Sequence, residues 1–151
     1  MKKQLLATVI AIASPILFSA VANAESTTGN ADVIILETIT FNELAHVDFG
    51  SITNADGTCT MAAGGGLSGQ CSGTGSEGDF TVSGTAGQVV DVSVGSGSTS
   101  GGVTFNPVLT SAAAPTLTAG STSVSVAGNL VLLSATAGAK ALTYTLTVNY
   151  Q

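Results

Sequence analysis

The amino-acid sequence predicts an all-β sandwich, and three observations lead there. Apolar residues recur at alternate positions in one short segment after another, as half-buried strands require. Beyond residue 24 no segment carries a convincing helical period. Runs of Gly, Ser and Thr separate the apolar segments at short intervals, as turns do in a sandwich. The 151 residues suffice for one domain and not for two, and 44% hydrophobic content argues against a wholly disordered acidic chain.

From the N-terminus, residues 1–24 read as an export signal. Lys2 and Lys3 supply a positive start, Leu5 to Ala22 an uncharged apolar run, and Ala22-Asn23-Ala24 the small residues of a cleavage site. The run approaches the length of a membrane span. Pro15 and the polar Glu25-Ser26-Thr27-Thr28 that follows favour cleavage over anchoring. The expectation is an exported domain over residues 25–151, in the periplasm in transit and then at the cell surface or outside. Beyond the signal, Lys140 is the one strong cation against nine acids. Binding nucleic acid takes several cations to displace counterions from phosphates, so it is excluded. Docking to an anionic membrane surface fails on the same ground.

The elements follow in order. Residues 25–37 read as an N-terminal extension, in which Val33 and Ile35 begin an apolar alternation that Ile39 and Phe41 continue and Glu37 interrupts. Val47, Phe49 and Ile52 predict a second strand, Phe80 and Val82 a third, and Val90, Val92 and Val94 a fourth. Thr85-Ala86-Gly87-Gln88 reads as a hairpin turn between the third and fourth. Val103 and Phe105 predict a short strand ending at Pro107. Val124 with Val126, and then Leu130 to Leu133, predict two more. The Gly/Ser-rich stretches Gly64–Gly78 and Gly95–Gly102 read as exposed loops, because glycine adds no side chain to a core and costs the most backbone entropy. In the last segment Leu142, Tyr144, Leu146, Val148 and Tyr150 alternate with Thr143, Thr145, Thr147 and Asn149. That is the clearest strand in the chain.

Cys59 and Cys71, an even pair in an exported small domain, predict one disulfide. A metal site needs three or four ligands, and only these two cysteines and His46 are on offer. Gly73, Gly75 and Gly78 match G-x-G-x-x-G, but a strand pattern follows where a dinucleotide site needs a helix. His46 has no nucleophile elbow to accompany it. Asp48, Asp56, Glu77 and Asp79 lack the close spacing of a calcium loop, and Asp56-Gly57 reads as a turn. No catalytic, cofactor-binding or metal-binding constellation is predicted, and the chain is not expected to be an enzyme.

The C-terminal segment Gly138–Gln151, GAKALTYTLTVNYQ, resembles the end of bacterial chaperone–usher pilins. Those subunits close on an alternating apolar strand, with an aromatic residue in the penultimate place and a glycine fourteenth from the end. Tyr150 and Gly138 occupy these places. The chain also resembles a family of exported bacterial domains of unknown function. The likeness lies in Thr38-Ile39-Thr40-Phe41, Val47-Asp48-Phe49-Gly50-Ser51-Ile52, Phe80-Thr81-Val82-Ser83-Gly84-Thr85-Ala86-Gly87 and the Thr-rich end, and covers most of residues 38–151.

The resemblance implies an immunoglobulin-like sandwich left incomplete and completed by a donor strand. It implies a pilin-like subunit of a fimbrium, assembled head-to-tail with copies of itself or related subunits by strand addition. A periplasmic chaperone and an outer-membrane usher would serve that assembly. Tyr144, Leu146, Val148 and Tyr150 would line the groove, with Gly138 and Leu142 at the start of the same strand. Val33, Ile35 and Ile39 would belong to the donor. In many pilins the disulfide ties the first strand to a neighbour, whereas here both cysteines flank a Gly-rich loop. The competing reading is a complete sandwich serving as a self-contained secreted or cell-surface binding domain.

Overall fold

The computed structural model describes residues 28–151. The expected export signal lies outside the described residues. The chain divides into a unit ending at Val33 and a unit from Ile34 to Gln151. Residues 28–33 of the first are exposed and without secondary structure. The second carries every strand and, among the described residues, no helix.

The all-β expectation holds. The main sheet is antiparallel and curls like half a barrel. It contains β1 (Thr40–Ala45), β3 (Gly57–Met61), β4 (Leu67–Gly69), β6 (Gly78–Ser83), β8 (Thr99–Ser100), β9 (Val103–Leu109) and β10 (Ser121–Leu132). Two smaller sheets pair β2 (Ser51–Ile52) with β5 (Cys71–Ser72), and β7 (Val90–Val94) with β11 (Leu146–Tyr150).

β10 is the spine. Its first half pairs with β6 from Ser121 to Val126, and its second half pairs with β3 from Gly128 to Leu132. Because β9 holds one edge from Val126 to Leu132, β6 and β3 follow one another along the opposite edge. The partner changes at Gly128. Its φ of +142° suits glycine, and a β-carbon there would run into the Asn106 carbonyl. The two strands expected at Val124–Val126 and Leu130–Leu133 are thus one. Val124, Val126, Leu130 and Leu132 are buried, while Ser123 and Val131 face out, which is the period of two the residues predict.

Two apolar clusters form along this spine. One gathers Val82, Val90, Val92, Leu117, Val124 and Val148. The other gathers Phe49, Cys59, Met61, Val103, Phe105, Ala127, Leu130, Leu132 and Ala135. β7 is paired along both edges: β11 on one side, and on the other the Pro115 and Ala113 carbonyls, which accept from the Val90 and Val92 N–H groups.

Several expected elements differ. The first alternation is not a strand until Thr40, and β1 is an edge strand with Phe41 47% exposed. Thr85–Gln88 is not a hairpin turn, since β6 pairs with β1 and β10 while β7 pairs with β11. The Gly/Ser-rich stretches contain β4, β5 and β8, because ladder hydrogen bonds need only backbone. The last strand is regular only from Leu146. Upstream, the Thr145 and Thr143 carbonyls still accept from the Gly95 and Ser98 N–H groups, an irregular continuation of the same pairing. The Cys59–Cys71 disulfide is formed, and it ties β3 to β5 across the glycine-rich turn.

Candidate assembly cleft

The residues of the second cluster are themselves buried, none more than 8% exposed. Beside it lies an open cleft of about 1060 Å³. One wall is the irregular stretch from Glu43 to Asn54, leaving β1 and entering β2. The other is the stretch from Ala135 to Leu146, between the end of β10 and the start of β11. Val103, Phe105, Leu130 and Leu132 supply apolar floor from β9 and β10.

A row of aromatic rings crosses the cleft. Phe49 meets Phe105 edge-on at 5.7 Å between centroids, Phe105 meets Tyr144 at 5.5 Å, and Tyr144 meets Phe80 at 6.3 Å. Each contact is T-shaped, the geometry that sets a ring's positive edge against a negative face. The Tyr144 hydroxyl is buried with no hydrogen-bond partner. Burial, and then the Glu43 carboxylate, push its pKa from 10.0 up to about 12.

The residues singled out in the sequence fall into three places. Gly138, Leu142, Tyr144 and Leu146 line the cleft. Val148 is buried in the other cluster, where Ile39 and Tyr150 also pack. Neither Tyr150 nor Ile39 lines the cleft, and Ile39 packs against the body of the domain. Val33 and Ile35 are 80% and 85% exposed, as is Ile34 at 85%.

Tyr150 instead joins three distant parts of the chain. The Thr85 N–H donates to its hydroxyl at 2.7 Å, and that hydroxyl donates to the Glu37 carbonyl at 2.8 Å. The Glu37 N–H donates to Thr85 Oγ1 at 2.6 Å, closing the ring of contacts. Gly84 makes the room, since a β-carbon there would collide with the Tyr150 hydroxyl.

The four acids weighed for calcium each secure a local backbone or hydroxyl group. Asp48 accepts from the Gly50 N–H, Asp56 from the Ser134 N–H and Asp79 from the Ser125 hydroxyl. Glu77 accepts from the Gly64 N–H and the Thr110 hydroxyl. Among the described residues no group of three metal-ligating side chains converges.

Sequence reasoning did not single out Phe49, Phe80 and Phe105 as cleft residues. Their alternation placed them facing inward, and a face deep in a core and one beside a cleft have the same pattern. Comparison with known protein families, with curated proteins and with solved structures finds no match for this chain.

Proposed function

We propose that the chain is a structural subunit of a bacterial surface fibre, an incomplete immunoglobulin-like sandwich that copies of itself complete by strand addition. The observation that carries this is the open apolar cleft beside the approach to β11, in a chain that also exposes Val33, Ile34 and Ile35. An open cleft with apolar side chains at its floor and an exposed apolar extension are complementary needs. An added strand meets the first with alternate side chains and satisfies its own backbone along a sheet edge. Each Val or Ile fully buried on docking contributes ~1.5–3 kcal/mol, so two or three make a durable joint. Donor and acceptor surfaces differ, so such contacts propagate as an open filament. A periplasmic chaperone would cover the cleft before the next subunit arrives, and an usher would receive the complex.

The test is deletion of residues 25–36, which spares Ile39 and the rest of the domain. The truncated chain is expected to fold and to accumulate in the periplasm without forming SDS-resistant ladders. Unchanged ladders would refute the donor role. A full-length protein that stays monomeric at high concentration, with its cleft exposed, would favour the self-contained binding domain.

A further inference from the structure

We propose that the Tyr150–Thr85–Glu37 contacts are a latch that prevents the extension from filling its own chain's cleft, so that the occupant is the Ile34–Leu36 segment of a second copy. This rests on the strand-addition reading.

The latch lies at one end of three strands, and the cleft extends toward the other. Along β11 and its upstream continuation, Tyr150 sits at the latch, Leu146 at the near edge of the cleft, and Tyr144 and Leu142 progressively further along it. Eight extended residues separate Tyr150 from Leu142, about 26 Å at strand rise. Along β6 the order is the same. Thr85 lies just past the Ser83 end, while a β-carbon on Gly78, at the other end, would touch the Tyr144 hydroxyl. β1 repeats it, with Thr40 beside Ser83 and Glu43 among the cleft-lining residues.

Glu37 has both backbone polar groups captured, its N–H by Thr85 and its carbonyl by Tyr150. Ile35 is two residues away, so it stays within about 7 Å of that point at full extension. It cannot cross to Leu142 while the latch holds. The described residues before Val33 are Thr28, Gly29, Asn30, Ala31 and Asp32, which offer no large apolar side chain to the cleft. The apolar part of the extension is therefore held at the pole opposite its own acceptor. The contacts are polar and specific, so they can be removed without disturbing the packing of the Tyr150 ring.

The experiment places a benzophenone photo-crosslinker at position 35 of the full chain, in the natural background and with Tyr150→Phe or Thr85→Val. Links to Leu142 and its neighbours at the far end of the cleft are sorted by mass into interchain and intrachain products. Exchange of the Glu37 amide is followed in parallel. With the latch intact, interchain links dominate. Once it is broken, the tethered segment competes at an effective concentration of order mM, so at ~10 μM protein the interchain-to-intrachain ratio falls to about 1:100. Glu37 exchange accelerates in both variants, and Thr85→Ser, which keeps the Oγ, restores the natural ratio. An unchanged ratio with accelerated Glu37 exchange overturns the latch and leaves strand addition standing. No link to the cleft in any protein overturns both.

Discussion

The two apolar clusters on β10 differ in how they end. The first, around Val82, Val124 and Leu117, is covered by β7 and β11 and is wholly aliphatic at its centre. The second, around Phe105, Leu130 and Leu132, includes the rings of Phe49 and Phe105 and has an open cleft beside it. Both are built from the same alternating strand. The difference lies in what crosses above. Over the first, β11 runs as a regular strand against β7. Over the second, the residues from Leu133 to Thr145 form no regular strand, and Leu133 itself is 69% exposed. The members of both clusters are buried, so what distinguishes the two halves is the open cleft beside the second.

Substitutions can break or sharpen this contrast. The largest difference is expected between two leucines. Leu117 is fully buried in the covered half, so Leu117→Ala should cost about 3 kcal/mol, the transfer loss plus a cavity. Leu142, in the cleft wall and half-buried, should cost less than about 1 kcal/mol on the same change. Chemical denaturation of both variants measures the contrast, and equal losses would mean that the open half is packed as tightly as the closed one.

The open half also carries the disulfide. Replacing Cys59 and Cys71 together with Ala should cost about 3 kcal/mol, from the loop-closure entropy of a 12-residue separation. The cleft floor should loosen first, which amide exchange at Leu130 and Leu132 would register.

A smaller effect of opposite sign is expected at Tyr144. Its buried hydroxyl has no partner, so Tyr144→Phe should stabilise the domain by about 1 kcal/mol near neutral pH. The raised pKa gives this a pH dependence. The unfolded phenol releases its proton near 10.0 and the folded one near about 12, so stability present below pH 10 is lost as pH rises toward 12. In Tyr144→Phe this part of the alkaline loss should disappear. Melting temperatures of the two proteins between pH 9 and about 12 would decide it.

Much of the covered half was legible in the sequence. Val82, Val90, Val92, Val124 and Val148 alternate as strand residues should, and all are buried. Phe41 has the same pattern and lies exposed on an edge strand, because alternation specifies two faces without saying that either is covered. β4, β5 and β8 were hidden in Gly/Ser stretches, where backbone pairing leaves no side-chain signal. The cleft was illegible for a related reason. It exists because β10 is one long strand shared by two halves and a regular strand crosses only one of them, which is a matter of topology. The Tyr150 contact with Glu37 spans 113 residues and rests on a single hydroxyl, which no periodicity could reveal.

The continuity of β10 bears on how the domain melts. Val126 pairs with β6 on one edge and β9 on the other, so one peptide segment carries ladder bonds for both halves. Whatever settles in the cleft therefore adds its binding free energy to the unfolding of the whole domain rather than to that of one corner. Its arrival should sharpen the thermal transition as well as raise its midpoint, converting fraying at one end into a single cooperative event.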